Sequence, residues 1–210
     1  MQEVLKTLPL VFVMIAGPQI ISAVFLATSE RWKQNSVAYV AGAAVGMSLV
    51  LAAFYLIGTA LTPLASGSSD GGSNVVLRDV VVGVLIVLML LVYLNRNKSE
   101  PPKWMGTLQT AKPSLSFKLG ALLLGVFPTD IMTLFVIGTH FARESLPIWY
   151  AVPFLVVTVL LIAAPALLVA LIGKRAVAFL PRARDWMNAN SWIVNEFVLV
   201  FFLVLQFTHA

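Results

Sequence analysis

The feature that most constrains this chain is the apolar run from Phe117 to Gly138, interrupted at its centre by Gly125-Val126-Phe127-Pro128-Thr129-Asp130-Ile131. At about 1.5 Å per residue the run is long enough to cross a bilayer core of about 30 Å. Pro128 inside a helix would remove a backbone hydrogen bond and clash with the preceding turn. Backbone groups freed at that depth are tolerated only where protein, water or a ligand satisfies them. Asp130 adds a carboxylate beside the break. At mid-bilayer depth a carboxylate costs at least ~2.5 kcal/mol, and it faces the protein interior or a wet cavity. The stretch therefore reads as a polar site in a broken helix. The competing reading is a structural kink with a hydrogen-bonded Asp.

Five further apolar runs accompany it, near Leu8–Ala27, Val37–Leu61, Val80–Leu94, Leu146–Ile172 and Met187–Thr208. Of the 210 residues 60% are hydrophobic and 11% charged, more apolar surface than a soluble domain of this size can expose. The expected fold is an all-α polytopic membrane protein with six transmembrane helices. The absence of cysteine excludes disulfides, thiol redox chemistry and Cys-ligated metals. With His140 and His209 the only histidines, no multi-His metal site is expected either. The first run is too long for a signal-peptide core, and Glu3 joins Lys6 in its flank.

The net charge of +5 resides in loops, so membrane topology explains it better than nucleic-acid binding. If six spans alternate sides, three cations, Lys6, Arg78 and Arg143, fall on one side. The other eleven are Arg31, Lys33, Arg96, Lys98, Lys103, Lys112, Lys118, Lys174, Arg175, Arg182 and Arg184. The positive-inside rule assigns these eleven to the cytoplasm of a cell (plasma or inner) membrane, with both termini outside. Residues 66–74 then form a flexible outer linker, and 95–116 a cytoplasmic loop broken by Pro101, Pro102 and Pro113. The basic stretch 173–192, with Phe179, Leu180, Trp186 and Trp192, is either a solvated loop or a short interfacial piece interrupted at Pro181. Trp32, Tyr39, Trp149 and Tyr150 read as interface residues. In the second run, Ala38, Gly42 and Gly46 recur every fourth position and suit close helix packing.

The first and fourth runs overlay. Gly17-Pro18-Gln19-Ile20-Ile21-Ser22-Ala23-Val24-Phe25 falls on Phe127-Pro128-Thr129-Asp130-Ile131-Met132-Thr133-Leu134-Phe135, so that Pro18 matches Pro128, Ile21 matches Ile131 and Phe25 matches Phe135. Arg78-Asp79 early in the third run parallels Asn195-Glu196 in the sixth. Three spans per half would make the halves inverted repeats, residues 1–94 and 117–210 joined by the loop 95–116. Secondary transporters of that architecture place their site where the broken helices meet.

The site residues expected from this pattern are Gly17, Pro18, Gln19, Pro128, Thr129, Asp130 and Thr133, with Glu196 as a second inward carboxylate or a headgroup-level residue. Thr129 and Thr133 can hydrogen-bond Asp130 or bond back to their own helix. Gln19 either lines the same cavity or packs as a helix amide. His140 reads as an outer-face loop residue rather than a pH sensor.

The motifs Ala16-Gly17-Pro18, Leu26-Ala27-Thr28-Ser29-Glu30-Arg31-Trp32 followed by Ala38-Tyr39-Val40-Ala41-Gly42-Ala43, and Gly125-Val126-Phe127-Pro128-Thr129-Asp130 carry a family resemblance. In these the chain resembles the glycolipid-addressing (GAP, Sap-like) family of six-span proteins within the lysine exporter (LysE) superfamily. The resemblance covers nearly the whole chain. It implies a three-plus-three inverted repeat and outward movement of lipids, glycolipids or small solutes. Electron transfer through paired cysteines, known among relatives in the superfamily, has no residues here.

The expectation is thus a secondary transporter or exporter driven by an ion gradient or by a partner, with Asp130 exchanging a proton and no cofactor. The chain has no Walker motif for ATP hydrolysis and no nucleophile–base or carboxylate cluster for intramembrane enzyme chemistry. A non-transporting scaffold subunit of a lipid-export system is the alternative. Partners expected are membrane lipids, the transported lipid or solute, protons and a second copy of the chain.

Overall fold

The computed structural model describes residues 7–15, 17–65, 108, 110–190 and 200. Among these residues every regular element is a helix. In chain order they are α1 (Leu10–Ile15), α2 (Pro18–Ala27), α3 (Trp32–Ala65), α4 (Pro113–Gly125), α5 (Pro128–Arg143), a 3₁₀ turn (Ile148–Ala151), α6 (Val152–Ile172) and α7 (Lys174–Ala189). The third apolar run, the outer linker, Glu196 and the sixth run apart from residues 187–190 and 200 lie outside the described residues.

Two segments are long and apolar enough to cross a bilayer, Trp32–Ala60 in α3 and Ile148–Ile172 ending α6. A third crossing results if α4 and α5, bent by 60° at the Val126–Phe127 break, count as one span. The first run divides at Gly17 into α1 and α2, neither of which spans alone. The described helices therefore supply two to three of the six expected spans.

α3 is the spine of the bundle. Tyr39, Ala43, Met47 and Leu51 recur every fourth residue and form one fully buried stripe. Leu49 and Leu56, 66% and 65% exposed, lie on the face left for lipid. Within a bilayer, apolar burial alone does not draw helices together, because acyl chains are as apolar as leucine; close approach through small residues does. α3 and α4 meet in this way. A Cβ on Gly42 would collide with the carbonyl oxygen of Phe117, and one on Gly120 with that of Tyr39. Gly46 faces Ala121, and Gly125 packs on Gly46. The Gly42–Gly46 spacing thus serves packing. Further along α3, Leu51, Phe54 and Tyr55 surround Gly138 of α5, and the Tyr55 hydroxyl donates to the Leu146 carbonyl at 3.0 Å.

α2 is short but central, with every residue from Ile21 to Ala27 buried. It packs against α6, α3, α7 and α4. A helix enclosed on all sides has no amphipathic stripe, which is why its environment was hidden in the sequence.

Five expectations are corrected here. Pro18 and Pro128 do not kink continuous helices. Each opens a new one near its first position, where a missing N–H leaves no bond unmade. Pro113 likewise starts α4, so the loop ends before it rather than at Ser116. α7 runs through Pro181 as one helix. It is held to the bundle by Ala176 and Leu180, which pack with Val24, Ala27 and Val169. Tyr39 is no interface residue: it is 1% exposed and belongs to the core. His140 sits in the last turn of α5 rather than in a loop.

Candidate functional site

Two helix N-termini converge inside the bundle. α2 begins after Gly17, whose φ of 104° lies in a region that side chains disfavour. A Cβ there would also sit 3.2 Å from Gln19 Oε1. α5 begins after Phe127, which is extended at φ −64° and ψ 138° as residues before proline generally are. The proline at each start fixes φ and removes one N–H that would otherwise need a partner.

From these two starts Gln19 and Asp130 face each other. Both are fully buried, and the Gln19 Nε2 donates to Asp130 Oδ2 at 2.7 Å. That is a short, charge-assisted contact when the carboxylate is ionised. Thr129 Oγ1 donates to the other carboxylate oxygen at a longer 3.4 Å. Asp130 also lies in the first turn of α5, where the positive end of the helix dipole favours a negative group. Tyr39, from α3, donates its hydroxyl to the Gln19 backbone carbonyl at 2.8 Å. Three helices are thereby joined through one glutamine.

The niche is only partly satisfied. Gln19 Oε1 and Ser22 Oγ are buried on the same helix and find no hydrogen-bond partner among the described residues. Buried polar atoms normally have partners, so these two are the unsatisfied polar positions that α2 brings to the interior. Thr133 is buried but turns back to donate to the Thr129 carbonyl at 2.9 Å, which leaves it out of the Asp130 contacts. No cluster of three or more His, Cys, Asp or Glu side chains able to hold a metal occurs among the described residues.

Of the residues expected at the site, the structure brings together Gly17, Pro18, Gln19, Thr129 and Asp130, with Pro128 opening the helix that carries the last two. Thr133 is nearby on α5 and engaged with its own backbone. Glu196 falls outside the described residues. Sequence reading missed Tyr39 and Ser22. For Ser22 a signal was present, as a small polar residue one turn beyond Gln19 in an otherwise apolar helix. For Tyr39 none was, since a tyrosine near a span end reads equally as belt or core.

Long apolar helices with large hydrophobic side chains left outward, and polar groups gathered inside, define an integral membrane protein. The chain matches the model of the family described as Sap, sulfolipid-1-addressing protein, over residues 7–210, and belongs to that family. None of the curated proteins and none of the solved structures matches it.

Proposed function

We propose that this protein is a multi-pass secondary transporter that moves a lipid, glycolipid or lipid-like solute outward across the cell membrane, with Asp130 carrying a coupling proton. The reading includes six spans in two inverted three-helix repeats, of the kind found in the lysine exporter superfamily, and both termini outside. The family description, which names a lipid and its addressing, supports a role in lipid export.

The observation that carries the reading is the 2.7 Å contact between Gln19 and Asp130. It joins two proline-initiated helices at the depth where each apolar run is broken. Broken helices meeting at the midplane are where such carriers bind substrate and ion. A carboxylate held there by a neutral amide can take up a proton without leaving a second buried charge unpaired. Protonation removes the charge that Gln19 Nε2 and the α5 N-terminus hold in place, which loosens the link between the two helices. Alternating access follows if that link closes one side of the pathway. No enzymatic step is assigned.

The same contact supports a second reading. A fully buried Asp satisfied by an amide can be a structural cross-link, and the protein would then scaffold a lipid-export assembly without transporting. Flux of a labelled lipid in proteoliposomes under an imposed pH gradient separates the two. Transport by the wild type that is lost in Asp130→Asn supports the carrier. No flux from well-folded protein supports the scaffold.

A further inference from the structure

Away from the Asp130 niche, the described residues form a cleft of about 140 Å³ lined by Glu30, Arg31, Thr110, Ala111 and Lys112. Its walls come from the turn between α2 and α3 and from the segment leading into α4. The two walls are tied together from behind. Asn35, fully buried, donates through Nδ2 to Ser29 Oγ at 3.0 Å and to the Ala111 carbonyl at 3.1 Å. Ser29 Oγ in turn donates to the Leu26 carbonyl at 2.7 Å. Lys112 is held extended as the residue before α4, with φ −85° and ψ 152°, and its carbonyl accepts the Ser116 amide at 3.1 Å. The backbones that present Arg31 and Lys112 are therefore fixed from behind.

Arg31, Lys112 and Glu30 share this cleft, yet their side chains are exposed. Two cations and one carboxylate leave a net charge of +1, the complement of a singly charged anion. The level of the cleft is set by its neighbours. Lys33 Nζ lies 5.6 Å from the centre of the Trp32 ring, and Trp32 packs on the cluster that holds α7 by Ala176 and Leu180. A tryptophan with a flanking lysine is characteristic of the headgroup layer. α2 begins at the Gln19 niche and ends beside the cleft, so about 15 Å of helix, at 1.5 Å per residue, separates the two.

We propose that this cleft binds the singly charged anionic ester of a lipid headgroup, a phosphodiester or a sulfate ester, at the entrance to the pathway. The assignment rests on the lipid-moving role proposed above. Arg31 provides a planar guanidinium fork for two ester oxygens, and Lys112 adds a second point charge. Glu30 opposes a second negative charge and accepts hydrogen bonds from headgroup hydroxyls. The acyl chains are left to lie along the apolar exterior of the bundle.

Native mass spectrometry of the full chain, purified in detergent with phosphatidylglycerol or phosphatidylcholine added, tests the site without requiring transport. Wild-type protein is expected to retain phosphatidylglycerol preferentially. The double variant Arg31→Gln with Lys112→Gln should lower that retention by about tenfold, the scale of losing hydrogen bonds to a charged group. Glu30→Gln should shift preference toward doubly charged phosphatidic acid, because it removes the opposing charge. Millimolar inorganic sulfate should fail to displace the lipid. Unchanged retention in the double variant, with its melting temperature preserved, overturns the site. Displacement by sulfate overturns the headgroup assignment in favour of a small-anion site. Normal retention in a wild type that carries no flux would leave the site standing and sink the transport reading alone.

Discussion

Gln19 and Asp130 are 111 positions apart in the chain and 2.7 Å apart in the fold. Each sits in the first turn of a helix opened by proline, and each is fully buried. The contact therefore fixes the relative position of two helix starts. The Gln19 side chain thus links α5 to α2, and the Tyr39 hydroxyl on the Gln19 carbonyl links α2 to α3.

The first prediction concerns charge at Asp130. Asp130→Asn keeps the shape and an oxygen able to accept from Gln19, but cannot exchange a proton. Insertion and melting temperature should stay close to wild type while flux driven by a pH gradient is abolished. Asp130→Glu should retain partial flux, since the carboxylate moves by one methylene. Proteoliposome flux for the three proteins decides the matter. Wild-type flux from the Asn variant would return Asp130 to a structural role.

A second prediction isolates the amide. Gln19→Leu leaves a buried carboxylate oxygen without its donor and should destabilise the protein by about 1–3 kcal/mol. In the Asp130→Leu background the same substitution should cost much less, because no acceptor remains to be orphaned. Thermal unfolding in detergent measures this double-mutant cycle. Additive effects would mean that the two side chains do not cooperate.

Helix packing gives the third. Gly120→Val places methyl groups against the Tyr39 carbonyl and the Ala43 amide. Overpacking against backbone should cost about 1–3 kcal/mol or prevent assembly. Gly173→Ala is the contrasting case. Nothing lies within 4 Å of its would-be Cβ, but φ 62° with ψ −128° is a conformation kept for glycine, so backbone strain of about 1–3 kcal/mol is expected without any collision. Wild-type expression and melting temperature in Gly120→Val would contradict the close α3–α4 contact.

The prolines supply the fourth. Because Pro18 and Pro128 open helices, replacing either by Ala should change stability by less than about 1 kcal/mol. The new N–H lets the preceding helix continue across the break, so transport should fall although folding is preserved. Flux at wild-type levels from both variants would show the breaks to be incidental.

Topology is the fifth. In the proposed topology, the distribution of the 14 Lys and Arg residues puts both termini outside. Reporter fusions at Ser69 and Ala210 should give the outside signal and one at Thr107 the cytoplasmic signal. A cytoplasmic signal at Ala210 would sink the six-span inverted arrangement.

The sequence by itself determined that the chain is helical and embedded in a membrane, because composition and run length leave no other way to satisfy backbone groups in lipid. It also marked both helix starts and their polar followers, Pro18-Gln19 and Pro128-Thr129-Asp130, because a proline or a carboxylate within an apolar run carries a cost that is legible without coordinates. Which polar groups meet was decided only by the tertiary structure. Thr129 and Thr133 both flank the carboxylate in sequence, yet one reaches it and the other bonds back to its own helix. Tyr39 read as an interface residue and proved to be core. The reason is that lipid and protein interior are equally apolar, so a span such as α3 shows no hydrophobic periodicity to separate its lipid face from its buried one. Only the close approach of α3 to α4 at Gly42 and Gly120 selects the buried face, turning Tyr39 inward to the Gln19 carbonyl.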